Sequence, residues 1–392
     1  ENNVVVIPDD KGITTIYDYA FSGYRYVEKD LDNGDVITDE DPYYIKQKQI
    51  GNDVIKKVVV PYGVTTINKY AFAYLTALEE IVLPSTLTKI GVGAFMGCNR
   101  LTTITYYGHD ANGRYVEGDM YNNLQFINKD AFRMAEAGSS YKFDDEDEDE
   151  VAQVMPRSQL NEFKFNKTVA IGTYAFANTS LNTVNLNAEC QSIAAYAFSG
   201  CSSLQKFSYK SDKLKLGTGV FSGCTKLNNL EINADVVPAY AFLNLSSLKN
   251  VTLGKDVAVI NELAFAGCGS IEQVTVNSDN ANFTADEGGK LILTKDGSEL
   301  VLVVPGYGGA AGKLTLDETV KTIGRGAFSA TSAIKTVVAP GVTSVEEYAF
   351  YYCSNLEGVT LGKLEYVGAY SFARTKIAEM PELSDSAESV EI

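Results

Sequence analysis

The sequence of 392 residues has no tryptophan, a single histidine and only six cysteines. Six cysteines are too few for a disulfide-built scaffold, and no C-x-x-C pair indicates a zinc or thioredoxin-like site. One histidine cannot form a histidine-rich metal site, and a Ser-His-Asp triad would have to use His109. His109 precedes Asp110 in a predicted turn, so we interpret it as a solvated loop residue. We therefore expect no catalytic site, no metal centre and no cofactor.

Basic residues are also scarce relative to acidic ones, 33 against 50, which gives a formal net charge of -17. Such a surface repels phosphate backbones and anionic lipid, so nucleic acid is excluded as an expected partner. No run of 18 apolar residues occurs, and Glu1 opens a polar stretch, so we expect no membrane insertion by this chain. A signal peptide or an anchor would have to lie outside these residues.

An Ala-Phe pair recurs along the chain and organises the sequence. Its phenylalanines stand at 21, 72, 95, 132, 176, 198, 242, 265, 328 and 350, and Val220-Phe221 and Ser371-Phe372 complete the series. The short intervals are 21 to 23 residues, and the longer ones are single or double periods with extra material. One unit therefore repeats about twelve times.

Residues 78–101, 181–204 and 248–271 align as L-x-x-[IV]-x-[LV]-x-x-x-[LVC]-x-x-I-x-x-x-A-F-x-x-C-x-x-L. The opening segment alternates apolar and polar residues as a half-buried strand does. One such coil has no partner for its apolar side, so its stability requires stacking on neighbouring coils. Stacking predicts a parallel ladder of strands about 4.8 Å apart.

The pattern in residues 78–101, with Pro84, Gly91 and Cys98, resembles the BspA-like, treponemal-type class of leucine-rich repeats found in bacterial surface proteins. The resemblance covers nearly the whole chain. It implies a leucine-rich-repeat solenoid, strand-rich within the α/β class, with about twelve coils of 21–23 residues and one strand ladder. For function it implies an adhesin or a binder of host or matrix proteins, and it carries over no catalytic residues.

We expect one solenoid over residues 1–392, interrupted by insertions at about 22–54, 105–123, 133–159 and 277–313. Asn33-Gly34, Asn112-Gly113 and Asp296-Gly297 predict tight hairpin turns in three of them. The seven acids at 144–150 predict a solvated surface loop, with calcium binding as the alternative. Residues 28–39 resemble an EF-hand loop only loosely, since Asn33 stands where the turn glycine belongs. Residues 382–392 are polar and predict the start of a linker.

Outward-pointing strand positions form the candidate ligand face. These positions are Thr183, Asn185, Lys206, Ser208, Asn229, Glu231, Asn250, Thr252, Gln273 and Thr275. Their short polar side chains suit many modest hydrogen bonds to a protein, although Thr and Asn also simply fit an exposed strand. A second candidate is a tyrosine edge two residues before the phenylalanine, at Tyr19, Tyr70, Tyr174, Tyr196, Tyr240, Tyr348 and Tyr370. A tyrosine there can pack on its own coil or contact a partner.

Two patterns suggest enzymatic chemistry. Gly306-x-Gly308-x-x-Ala311 resembles a dinucleotide fingerprint, but a repeat coil begins at Lys313 where the fingerprint needs a helix. So acidic a chain has many carboxylates that could pair as in a glycosidase, yet no pair stands out.

Five of the six cysteines share one repeat position with Leu, Ala and Thr, which indicates a buried core position. A Cys201–Cys224 disulfide is the alternative, because successive coils bring α-carbons within bridging distance.

The sequence thus predicts a non-enzymatic protein, secreted or displayed on a bacterial surface, that binds an extracellular host or matrix protein through its strand face. Carbohydrate binding is one alternative, since Tyr24, Tyr26, Tyr43, Tyr44, Tyr106, Tyr107, Tyr115 and Tyr121 could supply clustered aromatics in the first two insertions. A structural spacer that carries another domain is a further alternative.

Overall fold

The computed structural model describes residues 3–8, 11–22, 54–136, 138, 140–141, 153–154, 156–211 and 214–388. The chain divides into two compact units, Glu1–Cys190 and Gln191–Ile392. The expectation of one solenoid over residues 1–392 stays a prediction.

The fold is a strand-rich parallel β-solenoid of about 13 turns. Each complete turn contributes a longer strand to a long-strand ladder and a two-residue strand to a short-strand ladder. The L-x-x-I-x-L segment forms the longer strand because its alternation places one set of side chains in the core. Within the described residues, the only helical segment is the 3₁₀ turn Asp119–Tyr121.

The first unit contains both ladders. Its long-strand ladder runs Val4–Val6, Lys57–Val59, Glu80–Pro84 and Thr103–His109, all parallel, and Tyr115–Glu117 joins antiparallel at the end. Its short-strand ladder runs Thr15–Ile16, Thr66–Ile67, Lys89–Ile90, Phe126–Ile127 and Ala170–Ile171. Ser140–Tyr141 and Gln153–Val154 pair antiparallel, and Thr183–Asn185 is a further strand.

The second unit repeats the arrangement. Its longer strands are Lys206–Ser208, Asn229–Ile232, Asn250–Leu253, Gln273–Val276, Lys313–Thr315, Thr336–Ala339 and Gly358–Leu361. Its short strands are Ser192–Ile193, Lys215–Leu216, Val236–Val237, Val259–Ile260, Thr322–Ile323 and Ser344–Val345, followed by Leu364–Val367. The long-strand ladder is continuous over residues 229–276 and again over 313–361, and an insertion separates these two parts.

A column of stacked phenylalanines fills the core of each unit. In the first unit the ring centroids of Phe72 and Phe95 are 5.3 Å apart, and those of Phe95 and Phe132 are 5.1 Å apart. In the second unit the Phe242 and Phe265 centroids are 5.3 Å apart. The backbone N–H of most repeat phenylalanines donates to the carbonyl of the residue before the next one, as Phe72 does to Ala94 O at 2.8 Å. Ring stacking and backbone bonding therefore couple successive turns at the same position.

One turn of the second unit has no Ala-Phe pair, which explains why the motif predicts about twelve turns. Glu299–Val303 lies parallel to Thr322–Ile323 in the short-strand ladder. The N–H of Val303 donates to Ala327 O at 2.8 Å, which is the bond that a repeat phenylalanine makes elsewhere. Valine occupies the phenylalanine position of this turn, so the turn lacks the Ala-Phe motif.

Hairpins occur at two of the three predicted turns. Thr103–His109 pairs antiparallel with Tyr115–Glu117 around Asn112-Gly113, and Leu291–Thr294 pairs antiparallel with Glu299–Val303 around Asp296-Gly297. The strand Phe283–Ala285 extends the second hairpin. The Asn33-Gly34 turn lies outside the described residues.

The end of the chain differs from the predicted linker. Residues Leu383–Glu388 form a strand parallel to Leu364–Val367, with a shift of register between Leu364 and Tyr366. The polar composition of this segment predicted a linker because alternation is not visible in it, but a strand at the end of a ladder needs only one neighbour for its backbone hydrogen bonds.

Candidate functional site

The candidate ligand face lies in register on the second unit. Asn229, Asn250 and Gln273 are direct ladder partners, and so are Glu231, Thr252 and Thr275. All of these side chains are exposed except that of Thr252, which is half-buried. Lys206 is exposed and Ser208 half-buried on the preceding strand. The two columns therefore form a flat polar surface, which we call the polar face and define by Asn229, Glu231, Asn250, Thr252, Gln273 and Thr275.

Thr183 and Asn185, the other two predicted face residues, lie on the last strand of the first unit. Thr183 is half-buried and Asn185 is exposed, with Val184 between them in the core. They occupy the positions that the alternation predicts.

Hydrogen bonds organise the polar face along the ladder. The Asn250 side-chain amide donates to Asn229 Oδ1 at 2.8 Å, and the Asn229 amide donates to Asn228 Oδ1 at 2.7 Å. Lys249 and Glu272 form an ion pair at 2.9 Å one position earlier on neighbouring turns, and this ammonium lowers the pKa of Glu272. The polar face thus has ordered amide groups and, in Glu231, one carboxylate.

The polar face ends at a cavity of about 230 Å³. The cavity is lined by Gln273–Ser278, by Phe283–Asp286 of the insertion, and by Gly289 and Lys295. Predicted face residues Gln273 and Thr275 therefore form one wall, and the insertion at 277–313 forms the other. Both parts are evident in the sequence, but no sequence pattern indicates that they border one cavity.

The insertion is held against the last strand of the polar face by backbone and carboxylate contacts. The N–H of Val274 donates to Gly289 O at 2.9 Å. Asp286 Oδ1 accepts from the N–H of Lys290 at 2.6 Å and from that of Leu291 at 2.8 Å. The Lys290 ammonium also donates to the Glu272 carbonyl. A β-carbon at residue 289 would lie 2.5 Å from Val274 O, so the close approach of the insertion to this strand requires glycine.

The tyrosine edge occupies a strained backbone position. All twelve residues that stand two before a repeat phenylalanine have φ between 53° and 66°, the left-handed region. Tyrosine fills seven of these positions and glycine three, at Gly93, Gly219 and Gly326. A non-glycine residue there costs roughly 1–2 kcal/mol, so packing of the side chain must offset the strain. Glycine at three of these positions indicates the left-handed conformation in the sequence. Tyrosine fills most of the other positions and gives no such indication.

The tyrosine rings of the edge pack on the following turn. The Tyr70 ring occupies the space next to Gly93, where a β-carbon would lie 2.1 Å from it, and Tyr196 covers Gly219 in the same way at 2.2 Å. The Tyr348 and Tyr370 rings are stacked with centroids 5.4 Å apart. Burial raises the pKa of Tyr240. These contacts give the edge a structural role, and contact of the half-buried Tyr174 or the exposed Tyr370 with a partner stays a prediction.

The cysteines lie in the core as free thiols, and Cys201 and Cys224 are not bridged. The Cys98 thiol donates to Phe72 O at 3.2 Å, and the Cys268 thiol to Phe242 O at 2.9 Å. Burial raises the pKa of Cys98, Cys268 and Cys353 to about 12. The repeat position therefore suits cysteine because a small side chain both fills the core and bonds a carbonyl of the preceding turn.

The first hairpin carries an aromatic cluster on the first unit. Tyr115 is 50% exposed and stacks on buried Tyr107 with centroids 4.7 Å apart, while Tyr62 and His109 lie 4.2 Å apart. Tyr106 is buried, and its hydroxyl has no hydrogen-bond partner among the described residues. His109 is exposed, as predicted, but it is the last residue of the strand Thr103–His109 and not a loop residue. Of the tyrosines predicted for a sugar platform in this insertion, Tyr106 and Tyr107 are therefore too buried to take part.

Several predictions lie outside the described residues. These are Tyr24, Tyr26, Tyr43, Tyr44, the loose EF-hand resemblance at 28–39 and the acidic run at 144–150. Within the described part of the chain, no group of three or more His, Cys, Asp or Glu side chains is arranged to hold a metal ion. The strand Lys313–Thr315 follows the Gly306-x-Gly308-x-x-Ala311 segment, so no helix N-terminus faces that loop. The described residues also include no helix long and apolar enough to cross a membrane.

The fold resembles that of known leucine-rich repeat proteins. The chain is similar in structure to a leucine-rich repeat protein from Bacteroides ovatus, with a TM-score of 0.52 and 19% identity over 83% of this chain and 74% of that one. It also matches a leucine-rich repeat protein from Eubacterium ventriosum (TM-score 0.46, 20% identity, 55% and 63% covered). A leucine rich cell surface protein from Faecalibacterium prausnitzii matches with a TM-score of 0.37 and 22% identity over 70% and 60%. Comparison with curated proteins gives no match.

The sequence itself matches the model of the BspA type leucine rich repeat region, in six copies, over residues 3–109, 43–170, 169–286 and 310–391. These matches span most of the chain and include both described units. They agree with the Ala-Phe repeat, the two ladders and the phenylalanine column. The protein belongs to the BspA-type leucine-rich-repeat family.

Proposed function

We propose that this protein is a non-enzymatic binding protein of a bacterial surface, and that it contacts an extracellular host or matrix protein through the polar face. The observation that supports the proposal most directly is the in-register exposure of the two columns of polar side chains. A rigid ladder fixes these groups at strand spacing, so a partner meets a preorganised row of amides and hydroxyls. Repeat scaffolds commonly present extended binding surfaces of this kind.

The amide groups suit protein recognition better than recognition of a charged polymer. The face has one carboxylate, Glu231, and the nearby Lys249–Glu272 pair neutralises itself. Hydrogen bonds of this type contribute about 0.5–1.5 kcal/mol each, so affinity would come from several simultaneous contacts. The described part of the polar face carries no aromatic anchor, which favours many weak contacts over a few dominant ones.

Lysine substitution of one column tests this function. In the triple variant Asn229→Lys, Asn250→Lys and Gln273→Lys, three stacked ammonium groups would replace the amides, and we expect binding to a panel of purified matrix and serum proteins to fall at least tenfold. The loss should appear in surface plasmon resonance against whichever panel member the wild-type protein binds.

A matched control tests whether a loss of binding depends on the position of the three lysines or only on their added charge. Ser246→Lys, Ser270→Lys and Ser354→Lys add the same three charges at exposed turn residues outside the polar face. This control should bind like the wild type. Equal losses in both triple variants, or no binding of the wild type to any panel member, would contradict the proposal.

Carbohydrate binding is a second candidate, favoured by Tyr115. One side of its ring rests on Tyr107, and the ring is held further by the bond from its hydroxyl to Glu117 Oε1 at 2.6 Å. An exposed, immobilised ring beside a carboxylate can stack on the apolar side of a neutral sugar and accept its hydroxyls. The nearby Tyr62 is 38% exposed and adds a second ring.

A glycan array distinguishes this site from the polar face. If Tyr115 contacts sugar, Tyr115→Ala should lose at least tenfold in glycan binding, whereas Tyr370→Ala, which also removes an exposed ring, should not. Signals that are equal in the two variants, or no signal from the wild type, would remove carbohydrate from the candidates.

A further inference from the structure

We propose that the cavity at the end of the polar face takes an extended segment of a partner protein, paired through its backbone with strand Gln273–Val276 and carrying an acidic side chain toward Lys295. This inference rests on the proposed binding function and specifies the conformation and chemistry of the bound segment. It follows from two strand edges, the cavity between them and one lysine.

The first edge belongs to Gln273–Val276, the last strand in its part of the long-strand ladder. The N–H of Gln273 donates to Lys249 O and that of Asn277 to Leu253 O, both toward the preceding strand. Alternate residues of a parallel strand bond to opposite neighbours, so the N–H and C=O groups of Val274 and Val276 face away from that strand. Gly289 O takes the N–H of Val274, whereas the backbone of Val276 faces the cavity without a partner among the described residues.

The second edge belongs to Phe283–Ala285, the outermost strand of the inserted hairpin. Bonds from Lys295 N–H to Asn282 O and from Asp286 N–H to Leu291 O fix which of its residues face Leu291–Thr294. By alternation, the backbone groups of Phe283 and Ala285 face the opposite side. The Phe283 N–H is occupied by Asn280 Oδ1 at 2.7 Å, which leaves Ala285 with its N–H and C=O directed outward.

The cavity of about 230 Å³ lies beside both edges, with Val276 and Ala285 among its lining residues. Unpaired strand edges bind extended chain by backbone hydrogen bonds, with side chains supplying specificity. Elsewhere in this ladder the next turn supplies the pairing strand. Here the insertion lies between this turn and the next one, so a partner can supply a short strand at this edge.

Charge identifies the side chain expected in the bound segment. Lys295 lines the cavity and is exposed, and its ammonium forms no ion pair among the described residues. The carboxylate of Asp286, the other charged group of the lining, already accepts two backbone N–H groups. The Lys295 ammonium is therefore a charge of the lining without an ion-pair partner among the described residues, which favours a glutamate or an aspartate in the partner.

Random heptapeptides displayed on phage provide the probe, selected against the intact protein and then synthesised. We expect selected peptides to alternate β-branched residues with others and to contain an acidic residue. Methylation of single backbone nitrogens should weaken binding about tenfold at only the one or two positions that pair with Val276 or Ala285, because each edge offers one unpaired residue. Equal effects at all positions, or none, would contradict backbone pairing.

Two variants of one residue test the edge itself. Val276→Pro removes the outward N–H without removing a bond to the neighbouring strand, and it should weaken peptide binding about tenfold. Val276→Thr keeps the N–H and nearly the same volume, and it should bind as the wild type does. Lys295→Glu should reverse the selection toward basic peptides.

The outcomes separate this inference from the proposed function. If the matrix partner depends on the Asn229–Asn250–Gln273 column but selected peptides bind independently of Val276, the edge inference is wrong and the proposed function stands. If peptides pair at this edge but no matrix protein binds, the proposed function is wrong. Self-association that disappears in Val276→Pro would overturn the partner segment in favour of a second copy of the chain.

Discussion

Phe95→Ala should lower the free energy of unfolding of the protein by about 4 kcal/mol. Phe95 is fully buried, and its ring stacks between Phe72 and Phe132 with centroids 5.3 Å and 5.1 Å away. Alanine would leave a cavity that the stack cannot close, because the backbone bonds of each turn fix the position of the neighbouring rings. Urea unfolding followed by circular dichroism measures the loss.

Phe126→Ala is the matched control, since it makes the same substitution in the same unit at a residue that is 42% exposed. We expect it to cost less than about 1 kcal/mol. Comparable losses in the two variants would mean that the phenylalanine column does not hold the turns together.

Gly217→Ala should destabilise the second unit by about 3 kcal/mol. A β-carbon at residue 217 would lie 2.3 Å from Ala195 N and 2.5 Å from Ala194 C of the preceding turn. These are backbone atoms of a short-strand turn, so no side-chain rotation can relieve the overlap. The turns would have to separate locally, and thermal unfolding should shift downward accordingly.

Gly358→Ala provides the comparison for glycine. Its β-carbon would meet nothing within 4 Å, and strand Gly358–Leu361 accepts alanine without a left-handed angle. We expect stability within about 0.5 kcal/mol of the wild type, on the stabilising side, because alanine reduces the entropy of the unfolded chain. A loss at residue 358 equal to that at 217 would contradict the role assigned to close backbone approach.

The sequence predicts the repeated parts of this structure well because each core position is sampled many times. The recurrence of Ala-Phe establishes the turns, and the alternation around Asn250 establishes which side chains face outward. The turn at Val303 is not predicted from the sequence, because it lacks the Ala-Phe motif. Valine there fills the space of the repeat phenylalanine and makes the same backbone hydrogen bond. The strand Leu383–Glu388 escapes prediction because its pairing is a backbone property and its composition is polar.

The candidate site also has one part that the sequence predicts and one part that it does not. The outward columns follow from strand periodicity, so Gln273 and Thr275 could be named from the sequence. The cavity beside them depends on how the insertion folds back through Gly289 and Asp286, which no local pattern specifies. The left-handed angle under the tyrosines leaves a trace only where glycine takes the same position, as at Gly219.

The covering of a glycine by the tyrosine of the turn before it has a consequence for how such a chain changes in length. A tyrosine-bearing turn like that of Tyr70 accepts a successor with glycine, as in Gly93, or one with a parallel ring, as Tyr348 accepts Tyr370. A duplication that copies residues 70 and 93 together would therefore preserve this fit, whereas a turn inserted between them would have to supply a new neighbour for the Tyr70 ring.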